Sequence, residues 1–453
     1  MVIVCLTDQE AAMKTEAQKQ YIYPQEYIPF RHDHNNGLPG SETSFAINLT
    51  GMAAALGAVA LLKASGSSCP GLAVLALFVA VLAVSVWGLE FLFRRQGSLF
   101  SKIRVRRRLS WPRLGYKLLA LMFVWGLIAF LYWLFPIYQD SLFHDYFRVL
   151  KSIWWLLVLI AVFYFAGEDK ISERPKDAYW QLGRWLCGYR EDADKGELAE
   201  LFRGWGVKFF YLALMFPYFE QRLDWFMKAD FGRMSDYPYN VFIYLNELIF
   251  LIDLSFAAAG YMMTFRLFNT QIRSSEPTLV GWLAAVMCYW PFWGDLIGRY
   301  YLAYGTGTTW VQVFENTGIW FILWMSIILI LELVYSLATV ALGLRFSNLT
   351  YRGLVTGGPY RYTKHPAYVF KNISWWLVSM PFMVWGANWQ LALRGCILLF
   401  GVNILYYIRA KTEENHLSHY PEYVEYALKM NEKSIFAPLA KVLPFLRYKA
   451  PGK

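Results

Sequence analysis

The run GLAVLALFVAVLAVSVWGLEFLF, Gly71–Phe93, decides the fold. Its twenty-three residues include one charged side chain, Glu90. A bilayer core about 30 Å thick is crossed by roughly 20 apolar helical residues, so the run reads as a membrane span. Nine further segments read the same way: 45–64, 115–137, 150–166, 206–220, 240–265, 279–299, 319–342, 371–387 and 390–408. The segment 206–220 is the shortest of these and carries Pro217. The fold class expected is all-α, a polytopic integral membrane protein of about ten transmembrane helices.

Composition agrees. The chain has 453 residues, 57% hydrophobic and only 17% charged. That is less charge than a soluble chain of this length carries, so length alone, which suggests two or three soluble domains, misleads. The net charge is +10. Placing the N-terminus inside assigns 32 Lys and Arg to inside segments and 4 to outside loops. That is the positive-inside pattern, with both termini cytoplasmic. It describes a bacterial inner membrane or endoplasmic reticulum protein. The charge follows the loops, which argues against nucleic acid as a partner. The basic run SKIRVRRRLSWPR, Ser101–Arg113, is its strongest anchor. The five cysteines, Cys5, Cys69, Cys187, Cys288 and Cys396, form no C-x-x-C pair, so neither a disulfide framework nor a zinc site is expected. The opening MVIVCLTDQEAAMKTEAQKQ lacks the pattern of a cleaved signal peptide.

Residues 1–44 read as a polar, partly ordered cytoplasmic arm. In the loop 167–205, Glu197, Leu198, Leu201 and Phe202 recur at helical spacing and predict a surface amphipathic helix. After residue 408 the chain is charged and then amphipathic, a pattern suited to the bilayer surface.

Chemistry concentrates near the end. The loop LVTGGPYRYTKHPAY, Leu354–Tyr368, joins two spans. Its glycines and proline shape a tight turn, and Pro366 biases His365 to an extended backbone. Alone, these residues also fit an interfacial belt of aromatics and basic anchors. Some 45 residues later comes YYIRAKTEENHL. Arg409 and Glu413 lie one helical turn apart, as an ordinary ion pair would. Glu413 and Glu414 follow a span directly, against the positive-inside trend. His365, His416 and His419 are three of the chain's six histidines. Polar groups gathered at the membrane edge suggest a site for a charged small molecule whose target is lipid-soluble.

These residues resemble the isoprenylcysteine carboxyl methyltransferase family and its wider relatives, the membrane phospholipid amine and small-thiol methyltransferases. The loop matches a G-x-Y-x-x-x-R-H-P-x-Y pattern through Gly358, Tyr360, His365, Pro366 and Tyr368. The later stretch matches R-x-x-x-E-E-x-x-L through Arg409, Glu413, Glu414 and Leu417, with Tyr423 and Tyr426 after it. Lys364 stands where the pattern has arginine, and the glycine usual before the tyrosine pair is replaced, with Pro421 nearby. The resemblance covers about the last 110 residues. It implies a C-terminal methyltransferase-like helical core with interfacial helices (343–453), an N-terminal transmembrane region of open role (45–342), and S-adenosylmethionine as cofactor. It implies that Val355, Gly358, Tyr360, His365, Pro366, Tyr368 and Glu413 bind the cofactor. Arg409, Glu413 and Glu414 would be catalytic, with Arg409 facing a lipidic or lipid-anchored acceptor. A carboxylate or thiolate acceptor needs little acid–base help, whereas an amine needs a base, for which Glu413, Glu414 and His416 are candidates.

Two other functions remain on the sequence alone: an NADPH-dependent reductase resembling the sterol reductases, and a transporter using acids placed in or near spans. Those are Glu90, Glu247, Asp253, Asp295 and Glu332, with Arg299 one turn from Asp295. The glycines of YGTGTTW, Tyr304–Trp310, follow no strand and make no nucleotide fingerprint. FRHDH, Phe30–His34, is a weak metal pattern, and no metal is expected. The unmatched first 340 residues leave open a substrate cavity, self-association or a partner.

Overall fold

Most of the apolar runs fold into helices, and the computed structural model describes residues 37–66, 71–93, 108–172, 174–191, 193–266, 269–384 and 388–450. Met1–Gly40 and Ser41–Lys453 are separate units, and the fold lies in the second. The arm as far as residue 36, the FRHDH motif and the basic run up to residue 107 lie outside the described residues.

Seven helices among the described residues are long and apolar enough to cross a bilayer. They are α1 (Phe45–Ala64), α2 (Gly71–Phe93), α3 (Trp111–Leu134), α4 (His144–Ile171), α7 (Pro238–Met262), α9 (Ile319–Leu342) and α11 (Trp389–Leu417). The protein is thus an all-α polytopic membrane protein. Large apolar side chains such as Leu61, Trp154, Phe163, Ile330 and Ile397 point outward, as they do where lipid replaces water as the solvent.

Three of the ten expected segments differ. Segment 206–220 lies within α6 (Lys195–Lys228), a 34-residue helix containing Pro217. Arg203, Lys208, Glu220 and Arg222 interrupt its apolar run. Segment 279–299 divides into α8 (Leu279–Val286) and a π-helical stretch, Phe292–Tyr301. Pro291 between them has no N–H to continue the ladder. Segment 371–387 gives α10 (Pro366–Ser379), only 14 residues, closed by Met380 in the left-handed region just before Pro381.

The amphipathic pattern at 197–202 forms the first turns of α6. Leu198 and Leu201 pack towards Ala120, Val124 and Leu182; Leu182 belongs to α5 (Ala178–Leu186). Three of the acids placed in or near spans have close partners. Asp253 accepts from Tyr335 (2.6 Å) and from Thr339. Glu332 accepts from Asn246 (2.7 Å), and Glu247 pairs with Arg222.

Two small devices set up the site. A two-residue strand β1 (Ser274–Ser275) pairs antiparallel with β2 (Thr350–Tyr351), Ser274 opposite Tyr351. Beside it the buried Arg352 donates to the carbonyls of Gly260 (2.9 Å), Met263 (3.2 Å), Phe346 (2.8 Å) and Thr270. Two of these acceptors lie at the C-terminal end of α7, where carbonyls lack helical partners. The guanidinium therefore ties the end of α7 to the chain entering the loop.

Candidate active site

The Leu354–Tyr368 loop takes its shape from Gly358, whose φ is +57°. A Cβ there would meet Phe45 Cδ2 at 2.7 Å and Ala341 Cβ at 3.2 Å, so only glycine fits. The chain then makes a 3₁₀ turn over Gly358–Arg361 and enters α10 at Pro366, with His365 as its N-cap residue. From the other side α12 (Pro421–Lys433) holds the loop. Tyr426 Oη donates to the Tyr360 carbonyl (2.7 Å), and the Ile435 N–H to the Tyr362 carbonyl (3.0 Å). The apolar face of α12, with Tyr423, Tyr426, Ala427 and Met430, is buried in protein. This part of the C-terminal region therefore packs on the loop instead of the bilayer surface.

The loop and α11 meet through their charges. Glu414, buried, receives Lys364 Nζ at 2.6 Å, Lys411 Nζ at 2.7 Å and His365 Nε2 at 3.2 Å. Burial pushes the Lys364 ammonium below its ordinary value, and the Glu414 carboxylate opposes that shift. Glu413 accepts from Tyr368 Oη at 2.8 Å and lies 4.0 Å from His365 Nδ1. Its side chain keeps 43% of its exposure, against 6% for Glu414. The two adjacent carboxylates are thus different: Glu414 is a structural counter-ion, and Glu413 is open.

Arg409 and Glu413, one turn apart, are not paired as an ordinary helical ion pair would be. The Arg409 guanidinium donates to Asn348 Oδ1 and lies 4.8 Å from the ring centroid of Tyr368, 5.5 Å from that of Tyr289 and 5.8 Å from that of Tyr406.

These groups surround a cleft with about 650 Å³ of unfilled space. Tyr360, His365, Tyr368, Arg409 and Glu413 line it, with Tyr289, Tyr335, Lys371 and Tyr406. Burial pushes the Tyr360 and Tyr368 phenols above their ordinary values, and Glu413 adds to the shift; both stay protonated donors. Val355, Gly358, Pro366 and Glu414 are not among the lining residues, though Glu414 contacts two that are, Lys364 and His365. Sequence reasoning missed Asn348, Tyr289, Tyr335 and Lys371. A lysine on the short apolar helix α10 was the available signal for Lys371. Among the described residues no group of three or more His, Cys, Asp or Glu could hold a metal.

The loop, its carboxylates and the guanidinium all fall in one matched stretch. Residues 322–419 match the isoprenylcysteine carboxyl methyltransferase (ICMT) family. The ICMT segment runs from α9 to the end of α11 and implies a membrane methyltransferase. No curated protein matches the chain, and no solved structure does.

Proposed function

We propose that this protein transfers a methyl group from S-adenosylmethionine to a lipidic or lipid-anchored acceptor at the cytoplasmic face of its membrane. The observation that carries this reading is the open Glu413 carboxylate, fixed by Tyr368 at the mouth of a tyrosine-lined cleft in the ICMT segment.

The residues fit that cofactor. Glu413 offers an unshared carboxylate edge for an amino group or ribose hydroxyls. Tyr360 lines the same cleft away from the rings that Arg409 covers, and a sulfonium is drawn to an aromatic ring. S-Adenosylmethionine supplies an activated methyl on that sulfonium. The chain's own part is to bind, orient and exclude water, which can account for most of the acceleration in such a displacement. Val355, Gly358 and Pro366 set the loop backbone. His365 is held between the two carboxylates, and Arg409 faces the acceptor, locked by Asn348. Glu414 keeps loop and helix together.

The test is calorimetry on the full chain in detergent. S-Adenosylmethionine is expected to bind and NADPH to give no heat. Glu413→Ala should abolish the cofactor signal with the melting temperature retained. Unchanged affinity in that variant removes the site assignment, and binding of NADPH alone removes the function.

A further inference from the structure

A second cleft, with about 410 Å³ of unfilled space that includes open solvent, adjoins the first, and Asn348, Tyr368, Arg409 and Glu413 line both. Glu276, Gly281 and Ala285 in its far wall come from outside the ICMT segment, and Thr412 and His416 of α11, inside that segment, complete the wall. Glu276 is buried and tightly placed. Its N–H donates to the Leu349 carbonyl at 2.7 Å, and its own carbonyl accepts from Trp282 Nε1 at 2.9 Å. Oε1 accepts from the Thr278 N–H at 2.9 Å and from the Thr278 hydroxyl. A Cβ on Gly281 would sit 2.5 Å from Glu276 Cγ, so the glycine is the space the carboxylate occupies.

The other oxygen, Oε2, has His416 Nδ1 3.8 Å away. The far side of that imidazole is fixed. Tyr420 Oη donates to Ser274 Oγ at 2.7 Å, and Ser274 Oγ lies 2.8 Å from His416 Nε2. This edge contact holds the ring with Nδ1 turned towards Glu276 Oε2. The cavity thus holds two carboxylates, Glu276 and Glu413, against one guanidinium, Arg409. His416 and His419 also stand near Glu276, and beyond His416 come Arg203 and its partner Glu200 from α6.

We propose that Glu276 is the general base of the reaction and that the acceptor held in this cavity is an amine. This rests on the methyl-transfer reading above. The acceptor's ammonium gives one proton to Glu276 Oε2. The freed lone pair forms the N–C bond to the methyl of the sulfonium donor, and the C–S bond breaks with its electron pair staying on sulfur. A carboxylate acceptor has no proton to lose and leaves Glu276 without work. Burial favours the base, because it raises the basicity of the carboxylate.

The experiment is methyl transfer by the full chain in nanodiscs from labelled S-adenosylmethionine, with phosphatidylethanolamine in one arm and oleate in the other. Calorimetry with S-adenosylmethionine runs alongside. The wild type is expected to label the amine lipid and not oleate. Glu276→Gln should lower kcat about 100-fold, keep cofactor affinity and lose the rising limb of the pH–rate profile. Gly281→Ala, which displaces the carboxylate, should lower kcat likewise. Labelling of oleate, or failure to label the amine lipid while the cofactor binds, overturns the amine. Full kcat in Glu276→Gln overturns the base. Absence of cofactor binding in the wild type overturns the underlying function instead.

Discussion

Tyr368 and Glu413, 45 residues apart, share a 2.8 Å hydrogen bond that joins the start of α10 to the end of α11. The phenol can only donate to the carboxylate, so Glu413 is held with one oxygen engaged and the other free for a ligand. A hydrogen bond to a charged group contributes about 1.5–3 kcal/mol. Tyr368→Phe is therefore expected to weaken S-adenosylmethionine binding roughly 10- to 100-fold, with little change in melting temperature. A calorimetric titration of the variant reads this directly. Wild-type affinity in Tyr368→Phe would show that the hydroxyl does not position the carboxylate.

The neighbouring carboxylate should behave in the opposite way. Glu414 is the common partner of Lys364, Lys411 and His365. Removing it strands a buried ammonium, a change that typically costs about 3–5 kcal/mol. Glu414→Ala is expected to lower the melting temperature in detergent by several degrees, whereas Glu413→Ala leaves it in place. Thermal scans of the pair decide the matter. Equal melting temperatures for both variants would mean that Glu414 does not tie the loop to the helix.

The contrast shows what a sequence can and cannot carry. The two motifs are legible because their residues lie close along the chain: GGPYRYTKHP shapes one turn, and RAKTEENHL occupies neighbouring faces of one helix. The long apolar runs are legible for the same reason, since a span is a local property. Which carboxylate is structural is not legible, because the cations around Glu414 come partly from the loop. Asn348 and Glu276 are hidden further, since each reaches the site by long-range packing with no periodicity to mark it. The segment 279–299 has the composition of a span, and only Pro291 hints at its division.

Arg352 gives a test of the scaffold. Its guanidinium serves four carbonyls from three segments of chain. A lysine keeps the charge, yet has a single nitrogen and no planar fork. Arg352→Lys is expected to destabilise the fold by about 2–3 kcal/mol, since buried carbonyls lose their donors. Limited proteolysis should show faster cutting between residues 263 and 278. An unchanged cleavage pattern and melting temperature would mean that β1 and β2 alone fix this region.

Glu276 ties stability to pH. Burial raises its pKa above the ordinary carboxyl value, against the pull of its hydrogen bonds from Thr278. The sign follows from linkage: a carboxyl group with a raised folded pKa binds its proton more tightly in the folded state. Its stabilising contribution is full below the unfolded value and is lost as pH rises through the folded one. Above that range the native protein holds a desolvated carboxylate at a cost. Glu276→Gln, which cannot ionise, should therefore gain melting temperature relative to wild type between acidic and neutral pH. Parallel melting curves across that range would show that the carboxylate is well solvated. A stability gain combined with the loss of kcat would mark Glu276 as a group kept for chemistry at the expense of the fold.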